Sequence, residues 1–395
     1  MKLRHILMMA ALSLTAAASL TSCEDILGHW EKPTPVAPTP EELITKYEFK
    51  VIDLADADIA GITTVKLTDA AGAVSVTATL GDNGNYIVEK SDLTTATMPI
   101  WVEVTTGASE TYIQKLTAED LSALETSKKL AMATLGDVIN SDGTFSAAAV
   151  GGKTPIGVIA YLNQSGTEDD EITEKSQGAG HGLVLCLKNA ASGDDAQWST
   201  NTSSYEFGES AKVNSTEALK RTNDISGYAN TKLLAEKATA STDYKAAYAA
   251  FNYTGLTAPA NTTGWFLPSI QQWVKILVGL AGMPDDDITW SSYTSSWFGE
   301  DLVGLNKIEA ALAKAGTGNY DSMLPVNYYW SITESYTNAA ANLLVAESVI
   351  NPYDPAKEHK GFILWYTEKD ILYSSDLTPT QQAHGNFNAR PVLAF

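Results

Sequence analysis

Two cysteines, five histidines and few cations are what this 395-residue sequence has least of, and each shortage removes a class of protein. With Cys23 and Cys186 as the only thiols, no disulfide framework can hold the chain, so its stability must come from buried apolar surface. A hydrophobic share of 44% over this length is enough for two cores. His29, His181, His359 and His384 are scattered without an i, i+4 pair, so zinc-ligand spacing is missing. The 26 Lys and Arg face 47 Asp and Glu, a formal charge of −21, and no basic patch is available to neutralise phosphates; nucleic acid is excluded as a partner. Cys186 lies in the apolar run Leu183-Val184-Leu185-Cys186-Leu187, where a thiol serves as a small hydrophobe rather than a nucleophile. No catalytic constellation stands out elsewhere, and the chain is expected not to be an enzyme.

The sequence does have a beginning that reads as an export signal. Lys2 and Arg4 precede an apolar stretch, Ile6 to Leu20, that falls short of the roughly 20 residues a transmembrane helix needs. The stretch ends in Leu20-Thr21-Ser22-Cys23, which resembles a lipobox: cleavage before Cys23 would leave its thiol to be acylated. An ordinary signal peptide cut near Ala16 to Ala18 is the competing reading, with Cys23 a bystander. Residues 1–22 are therefore read as signal peptide and 23–43 as lipid anchor and linker. Pro33, Pro35, Pro38 and Pro40 make that linker extended and semi-rigid. Glu24-Asp25 directly after the lipid site resembles the surface-export signal of Bacteroidetes lipoproteins, which implies an outer-membrane location facing outward. After the signal no stretch approaches membrane-spanning length, so lipid on Cys23 is the expected membrane contact.

From residue 44 to 116 the text alternates as strands do. Tyr47 to Val51, Thr64 to Leu67, Val74 to Ala78, Tyr86 to Val88 and Ile100 to Val104 are separated by glycine- and asparagine-rich turns such as Asp82-Asn83-Gly84-Asn85. Five short strands predict a small all-β sandwich. Val65-x-Leu67-x-Asp69-x-x-Gly72 and Trp101-Val102-Glu103-Val104 resemble prealbumin-like or carboxypeptidase-regulatory-like sandwiches, which implies a stalk or spacer. Thr117, with Asp120 three residues on, predicts a capped helix, and a second domain is placed at 117–395. In that domain Pro155 to Leu162 and His181 to Leu187 read as buried strands. Ser241 to Phe251 reads as a helix, Ser269 with Gln272 caps another, and Asp301 to Ala315 makes a third that stops at Gly316.

Three separated motifs then fall in order: Gly264-Trp265-Phe266-Leu267-Pro268-Ser269 with Trp273, Tyr329-Trp330-Ser331-Ile332-Thr333-Glu334, and Ala389-Arg390-Pro391-Val392. Together they resemble the Fibrobacter succinogenes major-paralogue type domain, a branch of the C-type lectin-like fold found in Bacteroidetes surface lipoproteins. Ile332 stands where that family usually has Ser, and Pro284 to Ser322 looks like an insertion. The resemblance implies an α+β domain of C-type lectin-like type in which Trp265, Pro268, Ser269, Trp273, Trp330, Glu334 and Arg390 are mainly structural. Arg390 is expected to pair with Glu334.

No metal or cofactor is expected. The acidic runs Glu168 to Glu171 and Asp285 to Asp287 are the alternative, as oxygen ligands for calcium, but they lack EF-hand spacing, and the triplets of sugar-binding C-type lectins are missing. Trp290, Tyr293 and Trp297, in a run rich in hydroxyl groups, are the candidate ligand-binding residues; packing of that loop onto the domain is the competing reading. The functional expectation is a non-catalytic binding or adhesion module for a glycan or surface protein, with a structural or accessory fimbrial subunit as the alternative. Strand-exchange polymerisation would need a freed donor strand, and no Arg-bounded cleavage site marks residues 40 to 60.

Overall fold

A computed structural model describes residues 45–163, 180–200, 206–207, 225–260, 262–283, 296–298, 303–336, 339–350, 358–368 and 387–395. Cys23, the proline-rich linker, both acidic runs, Trp290 and Tyr293 lie outside these residues. Residues 44–395 cluster as one compact unit. Its described part is β-rich, with four sheets and several short helices.

The N-terminal body comprises β1 (Lys46–Asp53), β2 (Ile62–Asp69), β3 (Ser75–Thr77), β4 (Thr79–Leu80), β5 (Tyr86–Glu89), β6 (Ile100–Thr106), β7 (Thr111–Leu116), α1 (Ala118–Ser127) and β8 (Lys129–Met132). Two four-stranded sheets, β4-β5-β1-β8 and β3-β2-β6-β7, face each other across Phe49, Val51, Val65, Leu67, Val102 and Val104. The sheets are joined on both sides. On one, β3 and β4 are consecutive pieces of a single run that changes sheets at Ala78; on the other, Ala133, just beyond β8, exchanges backbone bonds with Ile113 of β7 (2.8 and 2.7 Å). Such joining hides edge groups that would otherwise offer a template to another strand.

The helix that the sequence sets at the head of the second half belongs to this body. Thr117 and Asp120 form a reciprocal capping box: Asp120 N donates to Thr117 Oγ1 (3.2 Å) and Thr117 N to Asp120 Oδ2 (2.8 Å). Leu121 and Leu124 then enter the same core as Phe49, together with Leu130 and Met132 of β8. The parallel pairing of β8 with the second half of β1, Lys50 to Asp53 opposite Lys129 to Met132, completes the layer.

The rest of the chain supplies β9 (Val138–Asn140), β10 (Phe145–Ser146), β11 (Pro155–Leu162), β12 (Gly182–Cys186), β13 (Ala191–Ser192), α2 (Gly227–Ala235), α3 (Ala240–Asp243), α4 (Lys245–Phe251) and α5 (Ile270–Ile276). There follow β14 (Ser296–Phe298), α6 (Val303–Ala313), β15 (Val326–Tyr336), β16 (Ala339–Ile350), β17 (Glu358–Glu368), β18 (Phe387–Ala389) and β19 (Val392–Ala394). A five-stranded sheet, β10-β9-β11-β12-β19, and a six-stranded sheet, β13-β18-β15-β16-β17-β14, stack in layers with the helices. Side-chain alternation shows the order. Leu183 and Leu185 of β12 join Trp273 and Ile276 of α5 and Leu305 and Ile308 of α6 in a core that reaches Tyr329 and Leu343 of the larger sheet. On that sheet's opposite face, Tyr328, Trp330 and Phe387 pack against Leu234 of α2 and Ala246 and Ala250 of α4. On the other face of the smaller sheet, Val184, Cys186 and Leu393 meet Trp101 and Ile113 of the N-terminal body.

The helix expected over Ser241 to Phe251 is two short helices broken at Tyr244 (φ −134°). The cause is tertiary: Tyr244 donates its hydroxyl to Glu206 Oε2 (2.7 Å), and the Lys237 ammonium sits 4.4 Å above its ring.

Candidate functional site

Three places bring chemically capable side chains together. The first is where the three C-terminal motifs meet. Trp265, Phe266 and Leu267 are consecutive, yet each fills a different core: Trp265 the seam with the N-terminal body, Phe266 the core between the sheets, Leu267 the core under α2 and α4. Phe266 pairs with Val392 through two backbone bonds of 2.9 Å. Pro268 O accepts from Ile332 N (2.9 Å), Ile270 N donates to Thr333 Oγ1 (3.0 Å) and Trp273 Nε1 to Trp330 O (3.3 Å). Ser269 and Gln272 form the predicted cap of α5 (Gln272 N to Ser269 Oγ 3.3 Å, Ser269 N to Gln272 Oε1 2.9 Å). Segments far apart in the chain, 63 residues for Ile270 with Thr333, 57 for Trp273 with Trp330 and more for Phe266 with Val392, are thereby fixed on one another.

Arg390 and Glu334 do not pair as expected. Arg390 is fully buried, and its guanidinium donates to three main-chain carbonyls: Nε to Cys186 O (2.9 Å), Nη1 to Asp321 O (2.8 Å) and Nη2 to Leu187 O (2.9 Å). The planar fork suits this task, since it satisfies carbonyls diverging from the end of β12 and from the approach to β15. Glu334, also buried, instead accepts from the backbone N–H groups of Glu206 (3.0 Å) and Phe207 (3.3 Å). Glu206 in turn holds Lys237 (2.6 Å) and Tyr244, which ties the 206–207 dipeptide to the helical layer. Bonding to that carboxylate raises the Lys237 pKa against the opposing effect of its own desolvation, and burial together with the carboxylate raises that of Tyr244. Cys186 is fully buried, and desolvation pushes its thiol up to about 12, the inert character the sequence predicts.

The second place is the expected ligand loop. Trp290 and Tyr293 lie outside the described residues. Trp297 is in β14, where its backbone stands opposite Ile363 of β17 in a three-residue edge pairing. The structure therefore puts the end of this aromatic run at the margin of the larger sheet.

The third place, which sequence reasoning missed, is the seam between the N-terminal body and the smaller sheet. Trp101 on β6 stacks on the His181 imidazole with centroids 4.1 Å apart, and His181 Nδ1 lies 3.4 Å from Glu103 Oε1. Phe395 packs 5.9 Å from Trp101 and 5.7 Å from Phe145. Beside these rings is a notch of about 220 Å³, its open mouth included, with Lys115, Gly143 and Thr262 also on its lining. Lys115 stands opposite Trp101 in the β6–β7 pairing, and its ammonium lies 5.8 Å from that ring's centre. Burial holds its pKa below the usual lysine range, with no carboxylate contributing. Neither residue carries a sequence signal for such a site: Trp101 and Lys115 read as ordinary members of alternating strands.

Among the described residues, no group of three His, Cys, Asp or Glu side chains could hold a metal ion, and no helix is long and apolar enough to cross a membrane. No protein-family model and no curated protein matches the chain. Among solved structures the chain is similar to a fimbrial protein from Bacteroides ovatus ATCC 8483, at 13% identity and a TM-score of 0.42, over 89% of this chain and 71% of that one. A likeness that distant decides neither fold nor function.

Proposed function

We propose that this chain is a cell-surface lipoprotein, held to the outer membrane by lipid on Cys23 and facing outward, that binds a glycan or another surface protein without catalysis. Its C-terminal half is read as a C-type lectin-like domain carrying the binding face, and its N-terminal body as a prealbumin-like support. The observation that carries this reading is the use to which the C-terminal motifs are put. Arg390 spends its donors on three carbonyls, Glu334 holds two backbone N–H groups, and Ser269 caps α5. The polar members of the motifs are committed to holding the scaffold. Recognition then falls to the segments the scaffold carries, and Trp290, Tyr293 and Trp297 have the aromatic and hydroxyl chemistry that recognises sugar rings and protein surfaces.

The test uses the whole chain after signal removal, with Cys23→Ser for solubility. Its binding to a panel of glycans and surface proteins is measured with and without Trp290→Ala and Trp297→Ala. Binding lost in either variant, with thermal unfolding unchanged, supports the reading; silence of the wild type across the panel counts against it. A ladder of oligomers on surface-protein gels would replace it with a fimbrial subunit. Incorporation of labelled acyl chain into the wild type but not into Cys23→Ala tests the anchor, and protease shaving of intact cells tests which side it faces.

A further inference from the structure

The seam notch has an oddity that packing alone does not explain. Lys115 is partly withdrawn from water, yet its ammonium makes no ion pair or hydrogen bond with any described residue; its one polar contact is with the Trp101 ring. A desolvated cation without a counter-ion is costly to keep, and an apolar β-branched residue at this strand position would pack the seam at lower cost. The notch walls are apolar and aromatic, with Trp101, Phe145 and Phe395 all buried. Gly143 faces the ammonium across the opening. Its φ of +81° serves the turn after Asn140, and a Cβ there would stand 3.7 Å from Lys115 Nζ and 3.4 Å from Pro259 Cβ, so the missing side chain also keeps the cation reachable. The enclosed part of the notch is about the size of one water, so it takes the end of a molecule rather than a whole one.

We propose that this notch binds the carboxylate end of a small aliphatic acid or of an acidic side chain, with Lys115 as its counter-ion and Trp101 and Phe145 as the surface for the adjoining methylenes. The carboxylate restores the charge partner that Lys115 lacks, and charge-assisted bonding in a partly dry site is stronger than at an open surface. The net charge of −21 opposes an incoming anion, but at physiological salt that field is screened beyond about 8 Å, so the local contact decides. A ligand of so few atoms is expected to bind with a Kd of about 1–10 mM.

The experiment is a nuclear magnetic resonance titration of the same Cys23→Ser chain carrying 13C-labelled lysine, with the Lys115 Cε signal assigned by Lys115→Arg. Sodium propionate is added against sodium chloride at equal ionic strength, with propionamide as the uncharged analogue. The expected result is a saturable shift of Lys115 and of the Trp101 indole N–H with propionate alone. In Lys115→Met the indole shift should weaken at least about tenfold. N-acetyl-glutamate amide distinguishes the sources: binding of this blocked side chain assigns the notch to an acidic residue of a protein partner, and binding of propionate alone assigns it to a free small acid. No saturable shift in the wild type, or an equal response to propionamide, overturns the proposal even if Lys115→Met fails to fold.

Discussion

Arg390 gives the sharpest test of the scaffold. Arg390→Met removes the guanidinium while keeping an unbranched stem in a site with no exposure. The three carbonyls of Cys186, Leu187 and Asp321 are main-chain groups and cannot leave with it, so each loses its guanidinium bond, although Leu187 O keeps the Asp321 N–H (2.8 Å). Net contributions of hydrogen bonds from charged donors run about 1.5–3 kcal/mol each, with desolvation of the donor already included. At the low end of that range the variant should lose roughly 4–5 kcal/mol, a large fraction of the 5–15 kcal/mol typical of a folded protein. Replacing a buried ion pair by apolar residues can be neutral, but only when both partners are removed. Arg390→Lys keeps the charge but not the fork, and should lose about half as much. The assay is urea unfolding followed by tryptophan fluorescence, with slopes compared as well as midpoints. Arg390→Met within about 1 kcal/mol of the wild type, or Arg390→Lys indistinguishable from it, would refute the clamp.

Other predictions concern separate layers. Gly227→Ala places a Cβ 1.9 Å from Gln272 Oε1 and so displaces the capping-box partner of α5; it should cost about 2–4 kcal/mol, against about 1 kcal/mol for Ser269→Ala, and equal thermal shifts for the two would count against it. With Cys23 replaced by Ser, Cys186 should resist maleimide in the native state up to pH 9 and react on unfolding; stoichiometric native labelling would show the strand more open than described. Asp69 accepts from the backbone N–H groups of Val74 (2.9 Å) and Thr97 (3.0 Å), which hold its carboxyl below the usual range. A depressed folded pKa stabilises fully above the unfolded value, near 3.9, and the benefit is lost as pH falls through the folded one. Asp69→Asn should thus be destabilising at pH 6, with the gap to the wild type closing as pH falls below about 4; a gap that is constant with pH would show that the charge is irrelevant.

What the sequence reveals follows the range of the interactions involved. The caps at Thr117 and Ser269 are legible because partner and donor lie three residues apart and the chemistry is local. The strand around Val65 is legible because one buried face imposes a period of two, whereas β6 around Val102 is buried on both faces and its second face, with Trp101, is set by the seam. The allegiance of α1 is not, since Leu121 and Leu124 look the same whichever core receives them. The break at Tyr244 depends on Glu206 and Lys237, and nothing nearby in the chain announces it. Arg390 and Glu334 look complementary in sequence because their charges are opposite, but the fold brings each to main-chain groups instead of to the other. Lys115 is the hardest to find: a lysine in an alternating strand reads as the solvent side, and only the arrival of β10 and Phe395 over that face turns it inward.

The seam also alters what the N-terminal body can be. The sequence reads this body as a stalk or spacer, yet Trp101, Ile113 and Ala133 share one core with Ile139, Val184, Leu393 and Phe395. Trp101 is only 8% exposed, and burying an aromatic side chain removes about 150–250 Å² from water, which is roughly 4–6 kcal/mol at 25 cal/mol per Å². Separating the halves would return that surface to solvent together with Phe395 and the stacked His181. Contacts of this kind resemble a domain interior more than the polar, mobile interface of two tethered domains. Neither half should therefore be stable alone, and a fragment starting at residue 118 would in addition tear α1 and β8 from the core they complete. The described residues from β1 onward therefore form one compact unit.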